Sequence, residues 1–122
     1  KIKNGSHEKL KLGNINAKRD WGHAQDYVNA MWLMLQQDKP EDYVIGTGRE
    51  HTVEDFAKKA FAHVGLNYKD HIVIDKSLIR PAEVDTLLAN STKAKKNLGW
   101  EPKISFDDLV VSMVENDLKN LK

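Results

Sequence analysis

The chain has 122 residues, 40% of them apolar, and 19 Lys and Arg stand against 18 Asp and Glu. That balance, with no cysteine, excludes a disulfide scaffold, a thiolate metal site and a broadly basic nucleic-acid surface. No apolar run approaches membrane-spanning length and the charges nearly cancel, so no membrane or nucleic-acid partner is expected. The length reads as one domain over residues 1–122, the missing cysteines favour a cytoplasmic setting, and the strand–helix alternation reads as α/β.

The chain opens on Lys1-Ile2 rather than Met, carries no signal-peptide pattern, and reads as a piece of something longer. Its first nineteen residues are basic, with Lys1, Lys3, Lys9, Lys11, Lys18 and Arg19 against Glu8. A small anionic ligand and a solvated basic edge explain that asymmetry equally well. Lys1 to Glu8, with Asn4-Gly5-Ser6, reads as a turning segment, and Lys9-Leu10-Lys11-Leu12 alternates as a short strand ended by Gly13-Asn14.

Lys18-Arg19-Asp20-Trp21-Gly22-His23-Ala24-Gln25-Asp26-Tyr27-Val28 is unlike an ordinary connector. It puts an arginine fork and a bulky aromatic just ahead of a helix start, where backbone N–H groups favour an anion. An anion-anchoring turn and a structural Arg19–Asp20 ion pair beside a core Trp21 are both open readings.

From His23 the period becomes helical, with Ala24, Tyr27, Val28, Met31, Met34 and Leu35 on one face, widened by Trp32 and Leu33. Asp38-Lys39-Pro40 stops it. Asp42-Tyr43-Val44-Ile45 has the composition of a strand, and Gly46-Thr47-Gly48 reads as a tight turn near a ligand. Thr52 and Asp55 form a capping-box-like start to a helix with Val53, Phe56, Ala57, Ala60, Phe61 and Val64 on one face. Gly65 closes it, and Glu54–Lys58 and Asp55–Lys59 are spaced to pair on its wet side. His71 to Ile74 is a further strand, and Val84 to Leu88 an extended piece. Asn90 or Ser91 caps a short helix ended by Gly99. Ser105 caps the last helix, with Phe106, Leu109, Val110, Met113 and Val114 as its buried stripe.

The five histidines lack metal-ligand spacing, with His63 reading as solvated, and no serine sits in a nucleophile elbow, so neither a metal site nor a hydrolase is expected. No G-x-G-x-x-G or P-loop occurs. Arg19 and Arg80 remain, each in an extended segment before a turn, with Glu83 three residues after Arg80. Two guanidinium groups suit a diphosphate and a carboxylate suits a ribose, although Arg80 and Glu83 also stand close enough in sequence to pair with each other.

Four stretches in order, Lys18 to Val28, Gly46-Thr47-Gly48, Arg80-Pro81-Ala82-Glu83-Val84-Asp85 and Leu98-Gly99-Trp100-Glu101-Pro102, resemble the C-terminal portion of the GDP-mannose 4,6-dehydratases. These are extended short-chain dehydrogenase/reductases, and the resemblance runs from about Lys9 to the end. It implies the small substrate-binding part of that fold, short strands with about four helices, without the Rossmann sheet. It implies a parent lyase in which NADP takes a hydride from the sugar C4 and returns it at C6 after loss of water. It also implies that Arg19 and Arg80 hold the diphosphate of GDP-mannose and Glu83 its ribose. Gly13 and Asn14 would lie near the nucleotide, and Lys9 and Lys11 would add favourable potential.

The family's glycine-rich loop, Tyr-x-x-x-Lys pair and acidic partner are absent: none of Tyr27, Tyr43 and Tyr68 is followed four residues later by Lys. The expectation is therefore no catalytic residue, no bound NADP and no turnover in this chain alone. Its partners would be GDP-mannose or GDP, a missing N-terminal Rossmann domain, and further copies of the parent. The alternatives are a free-standing nucleotide-diphosphate-sugar binding module and a non-catalytic structural or interaction domain.

Overall fold

A computed structural model describes residues 1–121. Strand β1 (Leu10–Leu12) pairs in parallel with β4 (Ile72–Ile74), Leu10 facing Ile72. Strand β2 (Lys18–Arg19) lies between β3 (His51–Thr52), antiparallel, and β5 (Thr86–Leu87), parallel. Around these two small sheets stand α1 (Ala24–Leu35), α2 (Val53–His63), α3 (Thr92–Leu98) and α4 (Phe106–Asn120).

Local chemistry sets most helix ends. Thr52 Oγ1 accepts from the Asp55 amide at 3.0 Å and the Asp55 carboxylate accepts from the Thr52 amide at 2.9 Å, a reciprocal box that starts α2. Ser105 caps α4 through the Asp108 amide. Gly99, at φ +64°, ends α3 and turns Trp100 onto the core. Ser91 stands at the α3 cap position without capping, because its hydroxyl is bonded to Gly46; Asn90 Oδ1 accepts from the Thr92 amide instead.

The buried cluster joins α1 to α3: Ala30, Ala94, Leu98 and Trp100, with Tyr27, Leu33, Met34, Tyr43 and Ile45 packed against it. Trp100, 1% exposed, also donates its indole N–H to the Asp26 carbonyl at 2.9 Å. Helix α2 packs on α4, and these helices bury Ala57, Phe61, Leu109 and Val110.

Several expectations are corrected. Residues 42–45 form no strand, because no described segment offers them a ladder, although Tyr43 and Ile45 turn inward as a strand's alternate residues do. Helix α1 buries Asp26 and Ala30, whereas Val28, Met31, Trp32 and Leu35 are 62%, 60%, 58% and 82% exposed. Met113 is half exposed. The two α2 surface pairs do not close: Glu54 accepts from the Tyr68 hydroxyl at 2.8 Å, and Lys59 reaches Asp107 on α4 at 2.6 Å. His63 is exposed but not simply solvated, with Nε2 3.4 Å from Glu115.

Candidate nucleotide-sugar clamp

Arg19 ends β2 with its side chain about three-quarters covered. Its Nη1 donates to the carbonyls of Lys18 at 2.7 Å and Val84 at 2.8 Å, and its Nη2 to Glu83 Oε1 at 3.3 Å. A guanidinium has five N–H donors, so these three bonds leave two, the Nε–H and one on Nη2. The contact closes across 64 residues of sequence because β5, which follows Glu83, lies parallel beside β2.

Arg19 and Glu83 are therefore brought together. Arg80 is not joined to them: it is exposed and, among the described residues, has no hydrogen-bond or ion-pair partner. Glu83 faces Arg19 rather than Arg80. Gly13 is needed for a close approach, since a Cβ there would lie 2.7 Å from the Leu78 carbonyl oxygen. Asn14 Oδ1 accepts from the Asn16 amide at 3.0 Å in a local turn. Lys9 donates to the Asp70 carbonyl, and Lys11 lies on β1 near Asp75.

Asp20 does not pair with Arg19. Its carboxylate accepts from the Thr47 amide at 2.9 Å, the Thr47 hydroxyl at 2.5 Å, the Gly48 amide at 2.8 Å and the Ala89 amide at 3.3 Å. Trp21 is half-buried among aromatics, edge-on to Phe56 and stacked near Phe106, which itself lies 3.8 Å from the His51 ring. A cavity of about 970 Å³ opens beside this group, lined by Trp21, Thr47, Arg49, Lys103 and Phe106 among others; the Gly46-Thr47-Gly48 turn expected near a ligand lines it, whereas Arg19, Arg80, Glu83, Gly13 and Asn14 do not.

The residues present do not fit a dinucleotide. Asp20 occupies the amides of the Gly46-Thr47-Gly48 turn, placing a carboxylate where a pyrophosphate would need those donors. Burial, and then the Asp20 charge, push the Tyr27 phenol above its ordinary pKa, and a hydrogen bond to Glu54 raises that of Tyr68. Among the described residues no three His, Asp or Glu side chains gather as a metal site, and no helix is long and apolar enough to cross a membrane.

A family model described as GDP-mannose 4,6 dehydratase matches residues 1–113. The chain belongs to the GDP-mannose 4,6-dehydratase family. The Arabidopsis thaliana member named GDP-mannose 4,6 dehydratase 1 is 57% identical over the whole chain, which spans only 34% of that relative's length. Two solved structures carry the same fold. RMD from Pseudomonas aeruginosa, complexed with NADPH, superposes with a TM-score of 0.87 at 20% identity, over 98% of this chain and 39% of that one. UDP-glucose 4-epimerase of Thermotoga maritima, with UDP-glucose, gives 0.83 at 32% identity, over 94% of this chain and 36% of its own. The fold is thus the smaller part of an extended short-chain dehydrogenase/reductase, about a third of the family's length.

Proposed function

We propose that residues 1–122 are the C-terminal substrate-binding unit of a lyase that converts GDP-mannose to GDP-4-keto-6-deoxymannose. Family membership supports the reaction, and one geometric observation supports the site. Arg19 is held by two backbone carbonyls and Glu83 while two of its five N–H donors stay unused within the chain. In this reading Arg19 and the exposed Arg80 grip the diphosphate and Glu83 takes the ribose hydroxyls. Gly13 and Asn14 form the wall near the nucleotide. Glu83 faces Arg19 until a ribose and a phosphate take their places. NADP and the groups that move protons belong to chain outside these residues, so this part supplies grip and orientation and does not turn over alone. The absence of cysteine suits a cytoplasmic setting.

The test is calorimetric titration of the full-length protein with GDP-mannose, with UDP-glucose as control. Arg80→Ala is expected to weaken GDP-mannose binding about tenfold to hundredfold, the worth of hydrogen bonds to a charged group, with little change in stability. Unchanged affinity would remove Arg80 from the clamp. Loss of stability without any ligand binding would favour the structural-domain reading instead.

A further inference from the structure

We propose that Asp20 is a positioning residue for the clamp: it fixes the Gly46–Gly48 turn and the exit of β5 onto the strand end that carries Arg19. The inference rests on the nucleotide-diphosphate reading above and adds a residue to it.

Four donors from two distant segments converge on this one carboxylate, Thr47 and Gly48 lying 27 and 28 residues away and Ala89 lying 69. An aspartate one residue past a surface strand would ordinarily turn to water. Here the turn is drawn hard against it: a Cβ on Gly46 would stand 3.0 Å from Asp20 Oδ2 and 2.3 Å from the Ala89 Cβ. Ser91 closes the other side, accepting from the Gly46 amide at 2.9 Å and donating to the Gly46 carbonyl at 2.7 Å.

Three segments therefore cross at one point, and two of them carry the clamp. Arg19 directly precedes Asp20. Ala89 lies two residues past the strand whose Leu87 is in register with Arg19. A shift of Ala89 moves that strand and, behind it, the Val84 carbonyl and Glu83 carboxylate that hold the guanidinium. Asp20 thus acts on a ligand only through the placement of Arg19 and Glu83. Removing its charge weakens four bonds at once and loosens the clamp without deleting any ligand group.

The experiment compares Asp20→Asn with Asp26→Asn in the full-length protein, using GDP as the probe. Asp26 is a fair comparator because its carboxylate also holds two amides, those of Lys103 and Ile104, at the base of α4. Affinity is measured by calorimetry at a temperature where each variant is folded, and deuterium exchange is followed over residues 45–50 and 86–91. Asp20→Asn is expected to weaken GDP about tenfold or more and to speed exchange in both segments, as a displaced positioning group does. Asp26→Asn is expected to lower the unfolding midpoint with GDP affinity within about twofold. GDP affinity retained in Asp20→Asn, or lost equally in Asp26→Asn, would overturn the role while leaving the nucleotide reading intact. No GDP binding by the unsubstituted protein would remove the nucleotide reading and this role with it. Should Asp20→Asn fail to fold, Thr47→Val deletes one arm only; a smaller loss of GDP affinity in the same direction is expected, and none would overturn the proposal.

Discussion

Single side chains in this molecule hold together segments that sequence keeps far apart. Asp26 is 5% exposed and accepts from the amides of Lys103 and Ile104 at 3.1 and 3.0 Å, so α1 and the approach to α4 meet on one carboxylate. Asp26→Ala leaves both amides without a partner in a covered place. It is expected to cost about 2–4 kcal/mol, read as a lowered midpoint in urea unfolding with an unchanged slope. The Arg-Asp-Trp stretch shows how far residues can be read one at a time. Its density of charge marks it as more than a connector, and the structure pairs its arginine with Glu83, 64 residues away. What Asp20 bonds to was not legible, because its partners at Thr47, Gly48 and Ala89 are fixed by tertiary crossing and not by spacing. Arg49, exposed on the same turn and lining the cavity, was missed for the same reason.

Elements capped by local chemistry came out as the sequence predicts; of those needing a distant partner, the strands at Leu10–Leu12 and Ile72–Ile74 did and the one at residues 42–45 did not. The α2 box, Gly65 after α2 and Gly99 after α3 are local, and all three stand where expected. The α2 box has a pH signature. The Thr52 amide, and then its hydroxyl, hold the Asp55 carboxyl below its ordinary value. A depressed carboxylate contributes stability that is fully present above the unfolded value of about pH 4 and is lost as pH falls through the lower folded value. Asp55→Asn is therefore expected to cost about 1 kcal/mol at neutral pH and to flatten the acid limb of the stability profile. A limb equally steep in the variant would assign it to other carboxylates. Helix α1 was misread because it is apolar on two sides. The buried stripe begins with Asp26, a charged residue that pattern reading passes over, and the exposed stripe carries the larger side chains.

At the scale of the molecule, apolar surface outweighs what a solitary small domain shows. Val28, Met31, Trp32 and Leu35 form one exposed face on α1, and Val73, Ile74, Leu78 and Ile79 are exposed on and after β4. The chain spans about a third of its relatives' length, and the α1 face is its largest run of neighbouring exposed apolar side chains on one helix. Made as residues 1–122 alone, the protein is expected to self-associate. Trp32→Lys with Leu35→Glu should shift it toward monomer in sedimentation without lowering its unfolding free energy by more than about 0.5 kcal/mol. Association unchanged by the pair would place the sticky surface elsewhere.

The parallel pairings carry one more consequence, in time rather than space. Strand β2 finds β3 across a separation of about thirty residues, but β1 must wait for β4 and β2 for β5, each sixty or more residues downstream. A chain leaving the ribosome can wind α1 and α2 and close the β2–β3 pair while Glu83, Ala89 and Trp100 are still being made. The grip around Arg19 thus waits for residues 83–87, and the packing of α1 on α3 and of α2 on α4 waits for residues later still. A stall or cut between α2 and β5 would leave an arginine that has nothing yet to hold it and two helices without the partners they pack on.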